Sequence, residues 1–172
     1  MNQNFITSKD LNLVFGSNLK NLKITGVEID SRKIKRGNIF FAIEGKNNDG
    51  HNFIQQAKDK GAVLALVERK SNKIEIPQIK VSDTHKALIK LAKYYRSLFK
   101  GKLVAITGSV GKTSTKDYLH YILSQSHLTY CSRQSFNNDF GLPLEILNMP
   151  KTTEIGIFEL GMNHKNEIKK LS

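Results

Sequence analysis

Residues 103–121 read LVAITGSVGKTSTKDYLHY, and the rest of the chain is organised around them. Leu103, Val104, Ala105 and Ile106 are four apolar residues in a row, which predicts a short buried strand. Thr107-Gly108-Ser109-Val110-Gly111 follows as a tight glycine-containing turn. Lys112 onward predicts a helix, with Tyr118, Leu119, Ile122 and Leu123 as its packed face. Strand, glycine turn and helix start together make a cradle for anions, because unpaired amides converge there and the helix dipole favours negative charge. Lys112 is placed to reach bridging phosphate oxygens, and the Thr113 hydroxyl is placed to ligate Mg2+. The expected ligand is a nucleoside triphosphate held by Gly108, Ser109, Gly111, Lys112, Thr113, Ser114 and Thr115.

The strict phosphate-loop pattern has a glycine where this chain has Ile106, so the motif here is a shortened G-x-x-G-K-T beginning at Gly108. A Gly-Lys-Thr triplet alone also fits a plain helix cap. Its place directly after an apolar strand, with three hydroxyl residues following Lys112, favours phosphate.

At 172 residues and 39% hydrophobic content the chain can form one sizeable domain or two small ones. The opening MNQNFITSKDLNLVF lacks the basic start and apolar core of a secretory signal, and no apolar run approaches a membrane span. The single cysteine, Cys131, leaves no internal disulfide framework and no cysteine-rich zinc site. A cytoplasmic setting without stable membrane insertion is therefore expected. The formal net charge of +12 rests on lysines scattered through every segment rather than on a basic stripe with arginines and aromatics. That pattern argues against nucleic acid as the partner, while the excess charge suits polyanionic small molecules.

Before the central stretch, alternating apolar runs and turn residues predict an α/β arrangement. Thr7 or Ser8 caps a short helix with Leu11 and Val14, residues 24–29 form a strand with Gly26 at a bulge, and Asp30-Ser31-Arg32 is a compact polar group at its end. Residues 38–43 read as a buried strand. Asn52 or Asp49 introduces a helix with Phe53, Ile54 and Ala57, which Gly61 ends. AVLALV at 62–67 reads as a strand covered on both sides, and Ile74, Ile76, Ile79 and Val81 suggest further short strands around Pro77. Ser82 or Asp83 caps a helix in which Leu88, Leu91, Ala92, Tyr95 and Phe99 recur at helical spacing. Residues 1–100 thus read as one small α/β domain and 101–172 as a second, with Lys100-Gly101-Lys102 as the hinge.

After the central stretch come a polar turn at 124–127 and a short strand at 128–130. In SRQSFNNDFGLPLEILNM, Asn137 and Asn138 offer donors and acceptors, and Pro143 suits the start of a helix with Leu144, Ile146 and Leu147. Two asparagines before a glycine also suit an ordinary turn. TEIGIFEL at 153–160 predicts a strand with Glu159 near its carboxyl end, where open parallel sheets gather ligands. There Glu159 would face Lys112 and Thr113 and give Mg2+ a hard oxygen ligand. A lone glutamate at a strand end is otherwise an ordinary solvated residue. His164, beside Lys165 and Asn166, defines no metal site.

Asp30-Ser31-Arg32, residues 37–45, Asp49-Gly50-His51-Asn52-Phe53-Ile54, TGSVGKTSTK, FNNDFGLPL and Glu159-Leu160-Gly161-Met162-Asn163 occur in the order found in the Mur ligase family, which the chain resembles over nearly its whole length. GSVGKTSTK with ELGMN is closest to the members that join D-alanyl-D-alanine to UDP-N-acetylmuramoyl-tripeptide. The resemblance implies a small N-terminal substrate-binding α/β domain followed by the first part of a P-loop NTPase-like central domain that binds ATP and Mg2+. It assigns Ser31 and Arg32, supported by Asp30, to the uridine nucleotide. Asp49, Gly50 and His51 would shape that substrate site, and Asn137 and Asn138 would border the muramoyl group. Lys112 would act on the β- and γ-phosphates, Thr115 with the turn amides would fix the phosphates, and Thr113 with Glu159 would hold the magnesium. The implied chemistry is ATP activation of the tripeptide carboxylate as an acyl phosphate, then attack by the D-alanyl-D-alanine amine, in peptidoglycan precursor synthesis.

Three departures stand out: Ser114 where threonine is common, Ser135 where asparagine is common, and Asn166 in place of a glycine. The family also continues beyond the point reached by Ser172, with the rest of the central sheet, a carbamylated lysine and a third domain. The expectation is a chain that keeps substrate binding but needs a further C-terminal polypeptide for ligase activity. The alternatives are a non-catalytic UDP-sugar-peptide-binding fragment and a nucleic-acid-binding P-loop protein, the latter marked by strong salt dependence.

Overall fold

A computed structural model of the chain describes residues 6–45, 48–133 and 139–161. Helix α1 (Ser8–Phe15) starts at a reciprocal cap in which the Thr7 hydroxyl and Asp10 carboxylate serve each other's backbone, and ends at Gly16 in the left-handed region. Strands β1 (Gly26–Glu28), β2 (Asn38–Phe41), β3 (Leu64–Val67) and β4 (Gln78–Lys80) form a parallel sheet in sequence order. Helix α2 (Ile54–Asp59) follows a 3-10 turn at Gly50–Phe53, and α3 (Thr84–Leu98) follows β4.

Both faces of this sheet are covered, so β2 and β3 are buried along their whole length, as their unbroken apolar sequences require. Alternation divides their side chains. Ile39, Phe41, Leu64 and Leu66 pack with Leu11 of α1 and Leu88, Leu91 and Tyr95 of α3. Phe40, Ala65 and Val67 point the other way, towards Ile54 and Ala57 of α2. Asp83 caps α3 by accepting the Lys86 N–H at 2.8 Å. Only Gln78–Lys80 pairs as a strand in the 74–81 region, and Gly26 opens β1 instead of forming a bulge.

The second sheet contains β5 (Lys102–Ile106), β6 (Thr129–Cys131) and β7 (Ile155–Glu159), parallel and in the order β5-β7-β6. Helices α4 (Lys112–Leu123) and α5 (Gly141–Asn148) belong to the same half of the sequence. Two expectations are corrected here. β5 is only partly buried, because among the described residues it is an edge strand with β7 as its single neighbour. On α4, Tyr118 and Ile122 are 72% and 62% exposed, and the buried residue is Lys116. The helix turns Lys116, Leu119 and Leu123 inward at i, i+3, i+7 spacing, which carries Tyr118 and Ile122 to the far side.

Helix α5 packs on both sheets, with Leu142 against Phe158 of β7. Leu144 and Leu147 are fully buried in the core formed by α3 and the first sheet, and the Tyr95 hydroxyl donates to the Met149 carbonyl at 3.2 Å. Pro143 sits in the first turn of α5, where its missing N–H costs the helix no bond. Among the described residues no helix is long and apolar enough to cross a membrane.

Candidate functional site

The loop between β5 and α4 turns on two glycines. Gly108 has φ 154° and Gly111 has φ 78°, the latter in the left-handed region as the residue that opens α4. Among the described residues no side chain caps this helix, so its first amides face the loop concavity without a side-chain acceptor from those residues. The Lys112 ammonium folds back to the Gly108 carbonyl at 2.7 Å. Register then brings in the second half of the site. Ile106 at the end of β5 lies opposite Glu159 at the end of β7, and the Thr113 hydroxyl donates to Glu159 Oε2 at 2.8 Å. Glu159 is 8% exposed, and its own N–H donates to Ser132 Oγ at 3.2 Å. Thus Gly108, Gly111, Lys112, Thr113 and Glu159 converge as the sequence spacing predicts. Ser109, Ser114 and Thr115 lie exposed along the loop and first helical turn.

Thr113 and Glu159 place a hydroxyl and a carboxylate side by side at the mouth of an anion cradle. That is a donor set suited to a small hard cation shared with phosphate oxygens.

A second concavity, about 520 Å3, opens at the carboxyl end of β1 and is lined by Asp30, Ser31, Arg32, Gly50, Phe53 and Gln56 among others. Asp30 takes the Arg32 backbone N–H at 3.0 Å and both sides of its guanidinium at 2.9 Å. The hydrogen bonds from Arg32 outweigh partial burial and hold the Asp30 carboxyl below the usual range. Ser31 donates to Gln56, which carries no sequence motif. Gly50 is required by close approach: a Cβ there would lie 2.7 Å from the backbone of Ala42 and Ile43.

Asp49 and His51 stand behind this wall. His51 Nε2 accepts the Glu68 N–H at 2.9 Å, so its hydrogen is on Nδ1, directed to Asp49 at 2.6 Å. Arg69 bridges Asp49 and Glu44, and the Glu68 carboxylate takes the Thr84 N–H at the start of α3. Burial works against charge on Asp49, but hydrogen bonds from His51 and the charge of Arg69 keep its carboxyl low. These residues therefore brace the loop that forms the cleft. Asn137 and Asn138 lie outside the described residues.

The sequence reading passed over Lys116, Gln56, Glu68, Arg69, Glu145 and Asn148. A hint existed only for Lys116, which shares the inward helical face with Thr113 at i+3.

A parallel sheet, a glycine turn opening a helix on Lys-Thr, and a carboxylate on the adjoining strand end define an α/β protein of the P-loop type. Comparison with known proteins narrows the class. A profile described as "Mur ligase family, catalytic domain" matches residues 23–96, and one described as "Mur ligase middle domain" matches 106–172. The UDP-N-acetylmuramoyl-tripeptide–D-alanyl-D-alanine ligase of Rickettsia prowazekii is 43% identical over 169 residues, covering 95% of this chain and 37% of the relative. The Bacillus subtilis protein of the same name is 40% identical over 156 residues, covering 87% and 33%. A crystal structure of MurF from Acinetobacter baumannii superposes with a TM-score of 0.85 at 36% identity, covering 96% of this chain and 38% of that one. MurF ligase from Thermotoga maritima in complex with ADP gives 0.74 at 32%, covering 90% and 36%. The chain belongs to the Mur ligase family. It spans about a third of the length of these relatives.

Proposed function

We propose that this chain forms the substrate-binding and nucleotide-binding portion of a cytoplasmic ligase that joins D-alanyl-D-alanine to UDP-N-acetylmuramoyl-tripeptide at the expense of ATP. Residues 1–100 form the sugar-nucleotide domain in this reading, and residues from 101 onward begin the ATP domain. The observation that carries it is the meeting of Lys112, Thr113 and Glu159 at the open N-terminus of α4.

ATP lies with its β- and γ-phosphates against the loop amides of Gly108 to Lys112. The Lys112 ammonium leaves the Gly108 carbonyl to pair with phosphate oxygens. Thr113 and Glu159 hold Mg2+, which when bound offsets negative charge on the phosphoryl group being transferred. The uridine nucleotide occupies the cleft at Ser31 and Arg32, with Asp30 fixing the Arg32 guanidinium and the Asp49–His51 brace fixing Gly50. Transfer of the γ-phosphoryl group to the tripeptide carboxylate gives an acyl phosphate and ADP. Attack by the D-alanyl-D-alanine amine then releases inorganic phosphate and forms the amide. The described residues contribute charge and placement, which is the main demand of phosphoryl transfer.

Isothermal titration of the chain with Mg·ATP and, separately, with UDP-N-acetylmuramoyl-tripeptide tests this. Both are expected to bind, and Lys112→Ala is expected to weaken Mg·ATP by about tenfold or more while sparing the sugar nucleotide. Unchanged ATP affinity in a folded Lys112→Ala protein would remove the basis of the assignment.

A further inference from the structure

Two polar side chains of α5, Glu145 and Asn148, bind opposite halves of the molecule. Glu145 is fully buried, and its carboxylate takes three hydrogen bonds from the end of β6: Tyr130 hydroxyl at 2.7 Å, Arg133 N–H at 3.0 Å and Arg133 Nε at 2.7 Å. Asn148 turns towards β1, one of the two edge strands of the first sheet among the described residues. Its Oδ1 accepts the Val27 N–H at 3.0 Å and its Nδ2 donates to the Val27 carbonyl at 2.9 Å. One side-chain amide thus pairs with β1 as a residue of a neighbouring strand would.

Each end of this connection runs into a ligand site. Beyond Val27, Glu28 Oε1 takes the N–H groups of Ile29 and Asp30 at 2.9 and 3.1 Å, and these residues form the cleft wall. Next to Arg133, the Ser132 carbonyl accepts the buried Lys116 ammonium at 2.7 Å, and Ser132 Oγ takes the Glu159 N–H. Glu159 in turn holds Thr113. Leu144 and Leu147 already bury α5 on α3, but the hydrophobic effect is non-directional and does not by itself fix a hydrogen-bond register. The hydrogen bonds of Glu145 and Asn148 do.

We propose that Glu145 and Asn148 are positioning residues that lock the phosphate-binding sheet in register with the sheet carrying the Asp30, Ser31 and Arg32 cleft, so that occupancy of one site is felt at the other. The proposal rests on the assignment of ATP to the first site and sugar nucleotide to the second. In-line transfer between the two ligands gives such a lock its value, since small misplacements of reacting groups cost large factors in rate.

The test is titration of the 172-residue chain with UDP-N-acetylmuramoyl-tripeptide, with and without saturating Mg·ADP, in wild type, Asn148→Ala and Glu145→Gln. Bound Mg·ADP is expected to change the wild-type affinity by about fivefold or more, and the ratio to fall towards one in each variant while either ligand alone binds within roughly twofold of wild type. A wild-type ratio of one, or an unchanged ratio in a folded variant, overturns the lock. If neither ligand binds wild type, the ligand assignment falls, and amide hydrogen exchange decides the lock independently. Asn148→Ala must then speed exchange at Val27 and also at Arg133, whose N–H rests on Glu145. Faster exchange at Val27 alone overturns it.

Discussion

Lys116 is a cation placed where a helix facing a sheet ordinarily carries an apolar residue. It is 2% exposed, and its ammonium is held by the Ser132 carbonyl at 2.7 Å and by Asp117 at 3.3 Å. Lys116→Met fills similar volume but leaves a buried carbonyl without its donor, so a loss of about 1–3 kcal/mol is expected in urea unfolding. A variant as stable as wild type would show that the ammonium contributes nothing net. Lys112, Thr113 and Glu159 were legible because their chemistry is tied to a local pattern of strand, turn and helix. Lys116 and Asn148 were not, since each acts on a backbone group that no short-range spacing reveals. Asn148 meets Val27 across 121 positions of sequence.

At the scale of elements, the start of α3 is held by two carboxylates, Glu68 on the Thr84 N–H and Asp83 as the cap. The Lys86 N–H bonded to Asp83 lowers the Asp83 pKa, and the Lys86 ammonium helps, with modest burial opposing. Asp83→Ala is expected to cost about 1 kcal/mol at neutral pH. Because the folded-state value lies below the unfolded one, the stability due to ionised Asp83 is fully present above about pH 4 and is lost as pH falls through the native value. The advantage of wild type over Asp83→Asn in thermal unfolding should therefore shrink between neutral pH and pH 3; an advantage that grows in acid would reverse the sign argued here. Gly50 makes a second demand. Gly50→Ala drives a methyl group to 2.7 Å from the Ala42 and Ile43 backbone, and weaker sugar-nucleotide binding with retained Mg·ATP binding is the expected result in titration. The long α3 and the unbroken runs of β2 and β3 were readable because burial on two faces leaves one sequence solution. The face of α4 is only half legible from spacing: Leu119 and Leu123 turn inward with Lys116, while Tyr118 and Ile122, one position before each, lie on the side away from the sheet.

At the scale of the whole molecule, the two sheets share α5. Leu147 is fully buried beside α3 although it follows the phosphate loop in sequence. Leu147→Ala is expected to cost about 2–5 kcal/mol and to lower a single unfolding transition followed by circular dichroism and by tyrosine fluorescence. Two separated transitions in wild type would mean that the halves unfold independently. No property of residues 1–100 announces this sharing, because the apolar face of α3 looks the same whichever helix covers it. The sharing also sets a schedule for synthesis. Leu98 ends α3 and Asn148 ends α5, 50 residues later, an interval of roughly 3 to 10 s at ordinary rates of chain elongation. During that interval the first sheet has every strand it needs but lacks the helix that closes its core, so the nascent chain presents a sticky surface to chaperones until α5 emerges.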